Sequence, residues 1–394
     1  MKKKISILSP TLSGNAVGRA YLLAKLLQED YHVTIVGPGN IDELWSPIKN
    51  DISIEYRSYQ CKNIMDLHLS GRSSIFKLID GDIIYAVKPL FRSFGIGLMA
   101  KLKFRKPLLL DIDDWEIGFL LDRWHWELRY YGLKSWLFKM DSSFYTRSLD
   151  KMTRFSDGVT VSNSFLQYKY GGCWIPHARD ERLFEKIELK KSNEAPSILF
   201  LGTPRGHKGL DVLLEAWRAV DNKKAKLRIV GISKSSSEYG HLSTFAYDRI
   251  SFEEPVPFEK IPQIIRNASI IVIPQLARKA ALGQLPAKLI DAMAAGVPII
   301  ATAVGDIPLW LSGNAGIIIP PGDKNILAKE IDALLKDEEK RNLLGLKAKE
   351  KFLRFGSFKV LRPKLISMVE YTIGRHKHSE SLFDSPYDIL RSEK

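Results

Sequence analysis

A chain of 394 residues, 45% apolar and 26% charged, has the composition of a soluble globular protein and the length of two moderate domains, each able to bury a core. Its two cysteines, Cys61 and Cys173, lie far apart without metal-ligand or redox spacing, which argues against a disulfide scaffold or a zinc site and for a reducing, cytoplasmic setting. Lys and Arg number 59 against 45 Asp and Glu, a formal charge of +14 that attracts phosphate-rich partners: nucleic acid, an anionic membrane surface or a phosphorylated substrate.

The opening MKKK is similar to the n-region of a signal peptide, but its apolar run ISIL stops at Ser9-Pro10 and Gly14, so it reads as a first strand. No later stretch approaches the roughly 18 to 20 apolar residues that a membrane-spanning helix needs. Strand-like runs then alternate with helical ones: KISILS, the helical AVGRAYLLAKLLQ, YHVTIVG, DIIYAV, KPLLLDI and DGVTVSN. The pattern begins afresh near Pro196 with SILFLG, GLDVLLEAWRAV, KLRIVG, RISFEEP, IPQIIRNA, SIIVIP, PAKLIDAMAAG, VPIIAT, AGIIIPPGD and KNILAKEIDALLK. The alternation predicts an α/β protein of two Rossmann-like, doubly wound parallel-sheet domains. The first spans 1–175 and the second 176–356, with WIPHARDERLFEKIELKKSNEAP as the linker. A helix over 357–374 returns to the first domain, and 375–394 form a polar tail.

In open sheets of this type ligands bind beyond the carboxyl ends of the strands, so the turns after strands are where chemistry is to be sought. After the first strand, PTLSGNAVGRA offers Gly14 and Asn15, where backbone can approach a ligand or simply turn; the G-x-G-x-x-G of a dinucleotide site is absent. LLLDIDDWE puts Asp111, Asp113 and Asp114 at a strand end, either as a helix cap with structural ion pairs or as carboxylates that accept a hydroxyl proton and face developing positive charge. In DRWHWELRYYGLKSWLFKMDSSFYTRS, Trp124, Trp126, Tyr130, Tyr131, Trp136 and Phe138 are interleaved with Arg123, Arg129, Lys134 and Lys139. That mixture suits an aromatic core helix with basic edges, a membrane interface or a single-stranded nucleic-acid surface.

Further on, LFLGTPRGHKGLDVLLEAW presents Arg205, His207 and Lys208 at a strand-to-helix turn, a solvated basic loop or a diphosphate clamp. It is not a P-loop, because G-x-x-x-x-G-K-[ST] is missing. GQLPAKLIDAMAAGVPIIAT predicts a helix from about Leu285 to Ala295, with Pro286 in its first turn and Gly296 past its end. Its first amides carry partial positive charge and can meet an anion. Asp291, on an otherwise apolar helix, needs a partner, which is a neighbouring group of the chain or a ligand hydroxyl.

Together, GTPRGHKGLDVLLEAW, PAKLIDAMAAGVPIIATAVGDIPLWL and GNAGIIIPPGD resemble the donor-binding half of GT-B glycosyltransferases of family 4. WIPHARDERLF looks like that family's interdomain segment, of the form I-P-N-G-V-D-x-x-x-F, and the likeness covers residues 160–350. It implies a GT-B fold with two domains facing a cleft, and a hexosyltransferase that moves a sugar from a nucleotide-diphosphate sugar to a hydroxyl with retention. The nucleotide sugar is a co-substrate; no metal or other cofactor is implied.

By position in that family, Lys208 matches the Lys that binds the donor diphosphate. The family's Arg directly after the strand's Gly is Thr203 here, so Arg205 takes over or the site is weaker. Asp291 matches the second Glu of the E-x7-E motif, which binds ribose hydroxyls, while the first Glu falls at Gly283. Gln284, Leu285 and Ala287 lie where backbone amides meet phosphate and sugar, Pro286 having no N–H. Gly14 and Asn15 match a loop near donor phosphate and acceptor. Asp113 and Asp114 stand where many relatives carry His-Asp, as the catalytic pair.

The partners so implied are the donor, a glycan or lipid-linked acceptor and an anionic membrane surface on its cytoplasmic side, with nucleic acid not expected. Two alternatives stand beside this: a basic peripheral binding protein with impaired catalysis, which Gly283 and Thr203 would suit, and a sugar-nucleotide epimerase on the same fold. For the epimerase the second half offers no persuasive pair of carboxylates or histidines.

Overall fold

The computed structural model describes residues 2–61, 63, 66, 72–122, 139–185, 195–234, 237–242 and 249–374. The aromatic and basic stretch over 123–138 and the tail 375–394 lie outside the described residues. Two compact units are present, one formed by Met1–Pro176 with residues 361–374 and the other by His177–Val360.

In the first unit seven strands run parallel: β1 (Lys4–Leu8), β2 (His32–Pro38), β3 (Glu55–Tyr59), β4 (Ile83–Val87), β5 (Leu108–Ile112), β6 (Gly158–Val161) and β7 (Cys173–Trp174), in the order β3-β2-β1-β4-β5-β6-β7. The central strands IIYAV and LLLDI are buried at every residue, as a sheet covered on both faces requires. The edge strands EYRSY and CW were not among the expected runs, because the first is half-exposed and polar and the second only two residues long. Both cysteines are free and buried.

The helix Val17–Leu27 lays Val17, Ala20, Leu23, Ala24 and Leu27 against the sheet at helical spacing. Arg19, on the same helix, is also buried. Its Nε and Nη2 donate to Asp111 of β5 at 2.9 and 2.8 Å, and its Nη1 and Nη2 donate to the carbonyls of Pro176 and Ile175 at 3.0 and 2.6 Å. Thr160 Oγ1 donates to Asp111 at 2.7 Å. Asp111 is thereby a structural anchor rather than a carboxylate open to substrate.

Leu361 onward belongs to this unit. A Cβ at Gly158 would stand 2.5 Å from Thr372 Oγ1 and 2.6 Å from Met368 Cε, so β6 needs a glycine for the helix Phe358–Thr372 to pack against it. Tyr31 donates to Glu370 at 2.7 Å.

The second unit has β8 (Ser197–Leu201), β9 (Lys226–Val230), β10 (Ile250–Glu253), β11 (Ile270–Ile273), β12 (Ile299–Thr302) and β13 (Ile317–Ile319), all parallel, in the order β10-β9-β8-β11-β12-β13. Each coincides with an expected run. The helix Leu210–Arg218 buries Leu210, Leu213, Leu214 and Trp217, an i, i+3, i+4, i+7 stripe.

The Ala-rich helix runs Ala287–Ala295, two residues later than expected, because Pro286 is its N-cap, with ψ 119, instead of part of its first turn. Gly296 closes it in the left-handed conformation at φ 67. Small residues are needed there: a Cβ on Gly345, in the helix Glu338–Phe355, would stand 2.1 Å from Gly296 O.

The described part of the expected linker is not a loose connection. Arg179 N–H donates to Gly356 O and Arg179 O accepts from Phe358 N, each at 3.0 Å, while Phe184 is buried with its ring 6.4 Å from that of Phe352.

Breaking the Arg19–Asp111 pair strands a buried carboxylate. Arg19→Met should lower the unfolding free energy in urea by about 3–5 kcal/mol, and adding Asp111→Leu should restore part of it. A double variant as unstable as the sum of its singles would refute the pairing.

Candidate functional site

The strand order of the second sheet reverses between β8 and β11, and this is where open α/β sheets place ligands. The turns leaving these strands touch. His207 O accepts from Leu276 N at 2.8 Å, and a Cβ at Gly209, whose φ is 66, would stand 1.8 Å from Pro274 O. Only glycine fits, which explains the Lys208-Gly209 pair in the sequence. Lys208 is half-buried, its Nζ 2.8 Å from Thr203 O, whereas Arg205 is exposed on the same turn.

The helix Ala287–Ala295 starts at the end of the β11 turn. Helix geometry leaves the amides of Ala287 and Lys288 without intrahelical acceptors. Gln284 N lies 3.4 Å from Ala281 O, so this amide is already turned toward the chain, and Leu285 is buried. Of the three expected amide donors, Ala287 has the right position. Gly283 is buried at φ −96, in a turn that does not demand glycine.

Asp291 is 4% exposed, and its partner is Arg179, from the segment taken for a linker. Nη2 donates to Oδ2 at 3.0 Å and Nε to Oδ1, a two-pronged pair. Each oxygen keeps a further lone pair.

The first sheet reverses between β1 and β4. After β1, Gly14 O and Asn15 O accept from Val17 N and Gly18 N at 3.1 Å each, which turns the chain into its helix. Gly14 has no positive φ, and the glycine that packing demands is Gly18, where a Cβ would stand 2.9 Å from the Trp45 ring.

After β4 comes Lys88, a non-glycine residue at φ 67. Its buried ammonium bonds Asp114, lies 2.8 Å from Glu116 Oε1 and 3.3 Å from Asp113 Oδ1. Burial works to lower the Lys88 pKa, yet the three carboxylates hold it well above the usual lysine range. Burial pushes the Asp113 carboxyl up to about 7; Lys88 opposes the rise, and Asp114 and Asp111 add to it. Asp113 Oδ1 is buried without a hydrogen bond. The two candidate carboxylates therefore differ: Asp114 is bound to Lys88, while Asp113 exchanges a proton near neutrality.

The segment that carries Lys208, the Gly209 turn and Asp291, residues 195–337, matches the family model for glycosyl transferases group 1. Among curated proteins, the chain is similar to D-inositol 3-phosphate glycosyltransferase of Corynebacterium efficiens, 28% identical over 174 residues that cover 41% of the chain and 40% of the relative. The chain thus spans about two fifths of the curated relatives it matches first. Two solved structures share the fold of the whole chain. Sucrose-phosphate synthase from Thermosynechococcus elongatus has a TM-score of 0.73 at 15% identity, over 95% of this chain and 100% of that one. HepE of Anabaena in complex with UDP-glucose has a TM-score of 0.70 at 16% identity, over 94% and 100%. The fold is GT-B, built from two parallel-sheet α/β units. Among the described residues, no helix is long and apolar enough to cross a membrane, and no group of three His, Cys, Asp or Glu could hold a metal.

Arg19, Lys88 and Arg179 escaped the sequence reading. Lys88 follows a strand at the switch point, and Arg179 replaces the Val of I-P-N-G-V-D; both were signals.

Asp113 holds its proton to about pH 7 when folded and to about pH 4 when unfolded. Its contribution to stability is therefore complete below about pH 4 and lost as the pH rises through 7. In urea melts, Asp113→Asn should be less sensitive than the wild type to pH between these limits; parallel profiles would contradict the raised value.

Proposed function

We propose that the protein is a glycosyltransferase that moves a sugar from a nucleotide-diphosphate sugar to a hydroxyl acceptor with retention of anomeric configuration. One observation carries the reading: in the segment that matches the glycosyl transferases group 1 model, the Lys208 turn lies against the turn after β11 that leads on to the helix Ala287–Ala295, at the sheet's switch point. A diphosphate there meets the Lys208 ammonium and the amides of Ala287 and Lys288. Arg205, on the exposed side of the turn, adds a screened charge. Asp291, held in place by Arg179, offers its remaining lone pairs to ribose hydroxyls. The protein's own cations neutralise the leaving diphosphate, so the reaction as proposed requires no metal.

In the first unit Asp113 is the group suited to take the acceptor's proton, since a base works best with a pKa near the working pH. Asp114 positions Lys88, which in turn holds Asp113. The solved structure of HepE with UDP-glucose supports a uridine nucleotide as the first donor to try. A glycan or lipid-linked acceptor, met at an anionic membrane surface on the cytoplasmic side, suits the charge of +14. Leu102, 80% exposed, and Phe104 beside exposed Lys103 and Arg105 give such a surface both apolar and basic contacts.

The test is incubation with UDP-, GDP- and ADP-sugars and membrane extract, following nucleotide release and product mass. No thermal stabilisation by any nucleotide and no turnover would end the proposal. With the accepted donor, Lys208→Ala should weaken binding by about 1.5–3 kcal/mol. Asp113→Asn should lower kcat by about 10²–10⁴-fold with donor KM unchanged. Wild-type kcat should rise with pH to a plateau above about 7, as the base form accumulates.

A further inference from the structure

Lys288 is the second residue of the helix Ala287–Ala295. Its Nζ is sealed from solvent and has no hydrogen-bond partner. It stands 4.2 Å over the ring of Phe200, the penultimate residue of β8, so the side chain reaches from the helix start to the carboxyl end of the strand that runs into the Lys208 turn. Burial first, and then the nearby charge of Lys208, hold its ammonium well below the ordinary lysine range.

Among the described residues, no group accepts a hydrogen bond from Lys288 Nζ and no carboxylate acts on it. A ring face stabilises a desolvated ammonium by less than its removal from water costs. The other fields acting on it, from Lys208 and from the positive end of the helix, have the same sign. Neither cation can drift far from the other, because the Gly209–Pro274 contact and the Leu276–His207 hydrogen bond fix the turn that carries Lys208. An anion held by the first-turn amides gives Lys288 the counter-charge that the described residues do not supply.

We propose that Lys288 is a second diphosphate-binding cation, which with Lys208 brackets the phosphates of the nucleotide donor at the switch point of the second sheet. The proposal rests on the transferase reading. It places the second positive charge on the helix, so neither Thr203 nor the exposed Arg205 has to supply it.

The experiment uses the full chain and its variants Lys288→Met, Lys288→Arg and Lys208→Met. The thermal midpoint of the ligand-free protein is measured, and the affinities for inorganic pyrophosphate, UDP, GDP and ADP are measured by calorimetry. Lys288→Met keeps the length of the side chain and removes an unpaired buried charge. Its midpoint should therefore rise, while its affinity for pyrophosphate and for the accepted nucleoside diphosphate falls about 10- to 100-fold. Lys288→Arg should keep affinity within a few-fold. A Lys288→Met protein that melts lower or fails to fold would show a packing role and overturn the proposal. So would unchanged anion affinity in a wild type that binds nucleoside diphosphates. A wild type that binds none of the four probes would overturn the transferase reading along with it.

Discussion

The approach of Gly209 to the carbonyl of Pro274 is the contact on which the candidate site of the second unit depends. A left-handed residue with no room for a Cβ lets the turn after β8 lie against the turn after β11. Any side chain there would push the two apart and carry Lys208 away from the helix that begins at Ala287. The sheet order brings β8 and β11 together, the glycine brings their turns into contact, and the charged groups occupy the place so formed.

Three groups of buried charge then separate by their balance. Arg19 and Asp111 match one to one, and the remaining guanidinium N–H groups go to carbonyls, so this pair organises the first sheet and has nothing left for a ligand. Lys88 faces three carboxylates, an excess of negative charge that leaves Asp113 sharing its proton with the surroundings near neutral pH. Lys288 Nζ is buried without a hydrogen-bond partner among the described residues, and the charge of Lys208 near it has the same sign as its own. A balanced buried pair is sufficient in itself, whereas an unbalanced one lowers stability unless a substrate supplies the missing charge.

The strands of the second unit were legible because each is a short run rich in Ile, Val, Leu or Phe, buried at every residue in the central β8, β11 and β12, and most are followed by Gly or Pro. β3 and β7 were not, since edge strands lack that pattern: EYRSY is polar and half-exposed, and CW is held only by its neighbour β6. Lys208 and Ala287 could be placed from spacing, because their positions follow from where a strand ends and a helix starts. Asp291 could be singled out as a carboxylate in need of a partner, but Arg179 could not be paired with it, being 112 residues away. Ion pairs between distant segments leave no period in the chain. Lys88 and Lys288 were passed over because a single Lys in an apolar run looks like a solvated residue until its ammonium is found buried.

The pairing of Arg179 with Asp291 also bears on the two departures from the family pattern in this region. A carboxylate shortened from Glu to Asp reaches less far from its helix, and a guanidinium in the place of Val closes on it from the opposite side. The fork fixes both oxygens, so the carboxylate is orientated before any ligand arrives and loses little side-chain freedom on binding. At Gly283 no such replacement occurs: a buried turn residue stands where the pattern has a carboxylate. With that negative group missing and Lys288 contributing a positive one, the region around the helix start is more cationic than the pattern implies.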